Sequence, residues 1–196
     1  MLEDSPDEYI HDFFDGIFWD SHPLGLPILG TKKRFPKNSP VYDALGTLDE
    51  LNSLLGVCRA CSSSSHKKGG IDIAHEIKNT QERLFIIQAE LAGSSKSILY
   101  VHVEELERTI EKIEKLIENP HAFVIPGTTG LSALFDYARS VSRRAERRVL
   151  EVRARREVSS FTRAYLNRLS SLLYALARYT ATLAGVKESS PSYFSK

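Results

Sequence analysis

Five stretches of this sequence place apolar residues at alternating steps of three and four positions, the spacing that lines up side chains on one face of an α-helix. We predict helices over residues 41–61, 71–92, 103–118, 131–152 and 160–184. The links between them are short, and almost no stretch alternates polar and apolar residues as a half-buried strand does. The sequence therefore predicts an all-α fold, a five-helix up-and-down bundle.

The length of the chain favours one domain. With 196 residues, of which 42% are hydrophobic, it can bury one core and is short for two. We predict a helical bundle over residues 41–185, an irregular acidic and aromatic leader over 1–40 and a tail over 186–196. Exposed aromatic clusters are uncommon on monomers, so the leader is expected to dock on the bundle or on a neighbouring subunit. Its aromatic residues include Tyr9, Phe13, Phe14, Phe18 and Trp19.

Charge and cysteine content exclude several classes of protein. Acidic and basic residues nearly cancel, with a net charge of +1, so the chain offers no electrostatic reason to bind nucleic acid. Cys58 and Cys61 have the CxxC spacing, but without a second pair or nearby histidines they are expected to pack and not to bind zinc. No apolar run approaches the roughly 18 residues of a membrane span, and the acidic start is unlike a transit peptide. We expect a cytoplasmic protein with no membrane partner.

Residues 123–148, FVIPGTTGLSALFDYARSVSRRAERR, combine a turn with an arginine-rich helix. Pro126 and Gly127 interrupt regular structure, and Thr128 or Thr129 offers an oxygen that caps the helix. The apolar face of that helix consists of Leu131, Leu134, Ala138, Val141, Ala145, Val149 and Val152. A different arc carries Asp136, Arg139, Arg143, Glu146 and Arg147.

This charged arc has two interpretations. The planar guanidinium of arginine suits two-point contacts to phosphate or carboxylate groups, so the arc fits an anion-binding site. Charged helix faces are also commonly just solvated. The spacing alone is consistent with both.

Two polar residues stand out in otherwise ordinary helices. Asp49 shares a stripe with small or apolar residues such as Leu45 and Gly56, so we expect it to point inward, where a carboxylate needs a cationic partner. The alternative is an exposed acid that stabilises the helix dipole. Asn167 lies near the start of the last helix, where it is expected to face the arginine helix. Asparagine is not favoured inside helices, so it has either a polar task or an ordinary place at the surface.

Three segments of the chain resemble the signature blocks of the PduO-type ATP:cob(I)alamin adenosyltransferases. They are VYDALGTLDELNSLLG, FVIPGTTGLSALFDYARSVSRRAERRV and YLNRLSSLLYALARY, in the family's order and with fitting separations between Pro36 and Ala184. The resemblance implies a trimer of five-helix bundles that moves the 5′-deoxyadenosyl group of ATP to the cobalt of a reduced corrin and leaves triphosphate. It also implies Mg²⁺ with the ATP, both substrates bound between adjacent subunits, and a cobalamin reductase and an adenosylcobalamin-dependent enzyme as partners.

The resemblance also implies site residues. Asp49 matches an acid that pairs with the first arginine of the second block, Arg139, and Phe123 matches an aromatic residue that crowds the lower axial face of the corrin. These three are the implied catalytic residues, and no metal is held by protein side chains. The residues implied to surround ATP are Lys37, Arg143, Arg144, Glu146, Arg147 and Asn167.

These residue types suit the implied reaction. Cob(I)alamin is itself a strong nucleophile toward C5′ of ATP, so the protein has to position that carbon and stabilise the leaving triphosphate, and it needs no base. Arginine and lysine meet the developing negative charge. Removing the lower axial ligand makes cob(II)alamin easier to reduce, which is a task for an apolar side chain such as that of Phe123.

The N-terminal part departs from the family. The family has a phosphate-binding loop of the form YTKTGDxG, whereas the corresponding stretch here reads IFWDSHPLGLPILG. Thr128 replaces a second glycine of the turn, and Ser171 replaces an acid. Two readings stay open, an active enzyme with a remodelled loop and a weak or inactive relative that binds corrinoid or nucleotide. A nucleic-acid binder is disfavoured because acids interleave the arginines.

Overall fold

The computed structural model describes residues 38–62, 70–118, 123–153 and 156–192. Its helices are α1 (Pro40–Cys61), α2 (Ile73–Ala92), α3 (Tyr100–Glu114), α4 (Gly130–Val152) and α5 (Ser160–Leu183). Every regular element within the described ranges is helical, which confirms the all-α prediction with five helices. The predicted leader, apart from its last residues, lies outside the described part of the chain, and so does Lys37.

The helix starts follow the capping residues in the sequence. Ser39 precedes Pro40, which occupies the first position of α1, where a missing N–H costs nothing. Asp72 accepts a hydrogen bond from the backbone N–H of His75 at 3.2 Å and so caps α2. Of the two candidate threonines before α4, Thr129 is the cap, since its hydroxyl accepts from the N–H of Ser132 at 3.1 Å. The bounds of α1, α2, α4 and α5 agree with prediction to within two residues.

The third helix begins and ends earlier than the predicted 103–118. Its first turn is closed by His102, whose Nδ1 accepts from the backbone N–H of Leu99 at 3.3 Å. Its last turn tightens, because the N–H of Leu116 donates to the carbonyl of Ile113 at 2.8 Å, three residues back. Apolar spacing alone did not predict these two local hydrogen bonds, which set where α3 begins and ends.

Side-chain pairs give the directions of the helices, because residue numbers fall on one helix as they rise on an antiparallel neighbour. Helices α1 and α4 are antiparallel, as the pairs Asp43–Arg148 and Glu50–Arg144 show. So are α4 and α5, joined by Glu146–Asn167 and Asp136–Arg178, and α2 and α3, joined by Glu76–Thr109 and Arg83–Glu105. Numbers rise together for α3 and α5, in the pairs Tyr100–Phe161 and Glu107–Arg168. Consecutive helices therefore alternate in direction, as in an up-and-down bundle.

The core lies between the apolar faces of all five helices, and α5 is buried most extensively because it packs against both α3 and α4. The predicted α5 stripe is buried from Tyr165 to Tyr179, and Leu183 at its end is partly buried. Complete burial of one leucine, such as Leu48 in α1, contributes about 1.5–3 kcal/mol. None of the described helices is long and apolar enough to cross a membrane.

Of the two cysteines, Cys58 has the predicted packing role and Cys61 does not. Cys58 is buried in the core, and burial raises the pKa of its thiol to about 12, whereas Cys61 is exposed. Among the described residues, no three histidine, cysteine or acidic side chains are grouped as a metal site.

Candidate active site at the junction of α4 and α5

The clearest contact between predicted site residues joins α4 to α5. The side-chain amide Nδ2 of Asn167 donates a hydrogen bond to Oε1 of Glu146 at 2.9 Å. Arg143 precedes Glu146 by one turn, Arg147 follows it directly, and both are exposed. The antiparallel packing of the two helices thus gathers four of the residues implied to surround ATP on one surface.

Beside this surface lies a cleft of about 500 Å³ between α4, α5 and the C-terminal end of α3. Its lining residues are Glu114, Ile117, Arg139, Arg143, Ser170, Ser171, Tyr174 and Ala175. Two guanidiniums, one carboxylate and three hydroxyls supply polar contacts, and the ring of Tyr174 with two aliphatic side chains supplies apolar surface. That mixture suits a ligand with both an anionic group and a flat apolar body. Ser171, one of the departures from the family pattern, belongs to this lining.

Asp136 is buried, so the interpretation of the charged arc as merely solvated does not hold at this position. Only 4% of the residue is exposed. Its Oδ2 accepts from a terminal nitrogen of Arg178 at 2.5 Å, and its Oδ1 lies 3.9 Å from Nε of Arg139. Buried carboxylates are tolerated when a cation compensates them, and the cation here comes from α5. The helical periodicity of α4 alone could not predict that Arg178 of α5 would be the partner of Asp136.

Arg178 is the main residue that the sequence reasoning missed. It is 3% exposed, its Nε lies 2.6 Å from Oε1 of Glu188, and its guanidinium carbon lies 4.9 Å from the ring centroid of Tyr174. Burial lowers the pKa of Arg178, but Asp136 and Glu188 outweigh that effect, so the pKa is raised. The signal in the sequence was an arginine in the middle of the apolar stretch LLYALARYTATLA.

Asp49 is exposed, so the expectation that it points into the protein is wrong for the single chain. The buried stripe of α1 includes Leu48 and Asn52 and leaves Asp49 to one side. On that side Gly56, two turns further along, faces Gln81 of α2. No ion pair of Asp49 lies within the described ranges, and the structure of one chain does not bring it together with Arg139.

Arg144 lies on the other flank of α4 from Asn167. It pairs with Glu50 of α1, and Arg148, one turn later, lies 3.9 Å from Asp43 and 3.0 Å from Glu151. All these side chains are about half exposed, and such pairs contribute about 0–1 kcal/mol each. Arg144 therefore turns toward α1, away from the hydrogen bond between Asn167 and Glu146.

Phe123 lies in the segment before α4, and 80% of its surface is exposed. Two residues later, the N–H of Ile125 donates to the carbonyl of Ser189 at 2.8 Å, so the tail after α5 runs beside this segment. Gly127 has a φ of +111°, which side chains other than hydrogen rarely permit. An exposed phenylalanine on a turn of defined shape is available to contact an apolar ligand.

Comparison with known proteins identifies the family that this chain resembles in sequence and fold. Residues 24–180 match the family model described as cobalamin adenosyltransferase. The chain is 36% identical over 169 residues to the corrinoid adenosyltransferase PduO of Salmonella typhimurium, covering 83% of this chain and 48% of that protein. It is 32% identical over 182 residues to the human corrinoid adenosyltransferase MMAB, covering 88% of this chain and 71% of that protein. The chain thus spans about half the length of the PduO relatives it matches.

A similar solved structure is that of a variant PduO-type ATP:corrinoid adenosyltransferase from Lactobacillus reuteri, complexed with cobalamin and ATP. The two superpose with a TM-score of 0.80 at 26% identity, covering 88% of this chain and 94% of that chain. The similarity therefore extends over the whole bundle, from α1 to α5.

Proposed function

The chain belongs to the cobalamin adenosyltransferase family, and from this premise we propose that it transfers the 5′-deoxyadenosyl group of ATP to the cobalt of a reduced corrinoid and releases triphosphate. The observation that carries the proposal is the junction of α4 and α5. There Arg139 and Arg143 line one cleft beside the hydrogen bond from Asn167 to Glu146. The proposed unit is the bundle over 41–185 with the preceding segment from residue 24 that the family model includes.

The exposed arginines suit the nucleotide half of the reaction. Arg143 and Arg147 are proposed to stabilise the charge that develops on the leaving triphosphate, with Lys37 and a Mg²⁺ ion carried by the phosphates. Glu146 holds the amide nitrogen of Asn167 and leaves the amide oxygen to accept a hydrogen bond from the nucleoside. The attacking cobalt needs no base, so these residues act by binding and orientation.

Phe123 suits the corrin half. We assign its exposed ring to the lower axial face of the corrin, where an apolar group excludes the base ligand and favours reduction of cobalt. A reductant has to deliver the reduced corrinoid and another enzyme has to use the product. A cobalamin reductase and an adenosylcobalamin-dependent enzyme are therefore the proposed partners.

A homotrimer completes this proposal. Asp49 is exposed on the α2 side of α1, whereas Arg139 is on the α5 side of α4, so an Asp49–Arg139 pair needs two copies of the chain. Contacts between two different flanks close into a ring when the rotation permits. Arg144 pairs with Glu50 on the α1 side, so its proposed contact with ATP is to the nucleotide held by a neighbouring copy.

An anaerobic adenosylation assay tests the proposal, with chemically reduced cobalamin, Mg-ATP and the absorbance change as the cobalt–carbon bond forms. We expect product from the wild type and a loss of about 10²-fold or more in kcat/KM for Arg143→Ala, because a charge contact to the leaving group is removed. Arg108→Ala is the matched control, since Arg108 is an exposed arginine whose ion pair, within the part of the chain that the structure describes, is with Glu104 of its own helix. Corrinoid binding without product from the wild type would contradict transferase activity and favour a non-catalytic relative.

A further inference from the structure

The buried ionic cluster around Arg178 has no assigned role in the proposed reaction. We call Asp136, Arg178, Glu188 and Tyr174 the Arg178 cluster; they come from α4, α5 and the tail after α5. Arg178 is 3% exposed, and the side chains of Asp136 and Glu188 keep only 5% and 16% of their surface. The three charged groups of the cluster therefore tie α4, α5 and the tail together away from water.

Such a cluster is a costly way to stabilise a fold. Removing a guanidinium and two carboxylates from water costs several kcal/mol per ion, and apolar side chains of similar volume often stabilise as well or better. Its distinctive property is geometric, because one planar guanidinium donates a hydrogen bond to Asp136 and lies in ion-pair contact with Glu188, so it fixes the two carboxylates relative to each other.

The cluster reaches both halves of the proposed site. Oδ1 of Asp136 lies 3.9 Å from Nε of Arg139, and Arg139 lines the cleft. Glu188 directly precedes Ser189, whose carbonyl accepts from the N–H of Ile125, two residues after Phe123. A continuous set of contacts thus connects Arg139 to the segment that carries Phe123.

We propose that Arg178 is a positioning residue that fixes the Phe123 segment relative to Arg139, acting through Glu188 and the tail on one side and through Asp136 on the other. The part of this proposal that concerns the reaction rests on the proposed adenosyl transfer. Arg178 acts on the position of Phe123 and Arg139 and does not itself bind ATP or corrin.

Glu188→Gln is the main test, measured first by hydrogen exchange of the wild-type and variant full-length chains. The glutamine keeps the size of Glu188 but gives up the charge-assisted contact with Nε of Arg178, which holds the tail in place. The cost of burying the charge is relieved at the same time, so overall stability should change little. We expect exchange of the Ile125 amide to rise at least about threefold, with no change in the central part of α5, because only a local contact is weakened. The melting temperature is expected to shift by less than about 2 °C. Arg178→Lys, which keeps the charge but loses the planar fork, should give the same local rise.

Glu104→Gln is the matched control, because Glu104 is a half-exposed, ion-paired glutamate on α3. It should leave the exchange of Ile125 unchanged. Unchanged exchange in Glu188→Gln and Arg178→Lys would overturn the proposal, and so would exchange that rises equally throughout the bundle, which would indicate a purely structural role.

The adenosylation assay supplies the second readout. In Glu188→Gln we expect kcat to fall about tenfold, because the Phe123 ring is less well placed, while KM for ATP stays the same. Faster exchange with unchanged kcat would overturn a role in the reaction. If the wild type forms no adenosylcobalamin, the proposed function fails, and the exchange measurement still decides whether Arg178 fixes the Phe123 segment.

Discussion

Two sets of arginine–carboxylate contacts hold α4 to its neighbours, and they differ in burial. On the α1 side, Arg144 pairs with Glu50, and both side chains keep 44% of their surface exposed. On the α5 side, Asp136 pairs with Arg178, and the two keep 5% and 3%. The chemical groups are the same, but water reaches one pair and not the other.

This difference determines what each pair does for the fold. When the exposed pair breaks, water solvates both charges, so little free energy changes. When the buried pair breaks, the charges stay in a medium that solvates them poorly, and the whole penalty of burial is felt. Only the buried pair therefore constrains geometry strongly enough to transmit a position from one element to another.

The largest expected effect comes from removing the cation of the buried pair. Arg178→Met should lower the free energy of unfolding by about 3–5 kcal/mol, because it leaves the Asp136 carboxylate buried with the more distant, partly exposed Arg139, at 3.9 Å, as its remaining cation among the described residues. Urea denaturation followed by circular dichroism measures the loss.

The double variant Asp136→Asn with Arg178→Met separates loss of the pair from loss of packing. Because it also removes the orphaned charge, it should recover part of the stability lost in Arg178→Met. A loss in Arg178→Met no greater than that in Arg144→Met would contradict the contrast drawn between the two pairs.

A smaller effect is expected from the pH dependence of Glu188. Burial raises the pKa of this carboxyl above its ordinary value of 4.5, and Arg178 only partly opposes the rise. The folded protein therefore binds the proton more tightly than the unfolded chain does, so the contribution of Glu188 to stability is largest at low pH and is lost as pH rises through the folded-state pKa.

The measurement is the free energy of unfolding of the wild type minus that of Glu188→Gln between pH 7 and pH 4. The difference should move in favour of the wild type as pH falls toward 4.5, and should level off below that value. A difference that moved in the opposite direction would mean that the pairing with Arg178 dominates the burial of Glu188.

The smallest effect is expected at the exposed pair. A double-mutant cycle with Glu50→Gln and Arg144→Gln should give a coupling energy of about 0.2–1 kcal/mol. The coupling should shrink in 1 M NaCl, where the screening length is about 3 Å. A coupling energy unchanged in 1 M NaCl would mean that the Glu50–Arg144 pair is shielded from salt like the buried pair, and it would contradict the contrast between the two flanks of α4.

Local features of the chain were predictable because they depend on neighbours in sequence. The helices, the capping role of a threonine before α4 and the facing of Asn167 toward α4 all followed from spacing and residue type. The bounds of α3 were less accurate, since they depend on one histidine contact and one tightened turn.

The misassigned residues depend on partners that are distant in sequence. Asp136 was placed on a charged arc for which spacing left both anion binding and solvation open, yet it is buried and pairs with Arg178 of another helix. Asp49 was expected to be buried because its stripe is small and apolar, yet in the single chain Leu45 of that stripe is buried in the core and Asp49 itself is exposed.

Apolar periodicity and capping chemistry act within a few residues, and for that reason the chain's sequence was sufficient to predict an all-α bundle, its five helices and the family whose blocks it carries. Which charges are buried together is a different kind of question. The free energy of an ion pair depends on the distance between its groups and on their exclusion from water, and both quantities arise only when α4, α5 and the tail pack against one another.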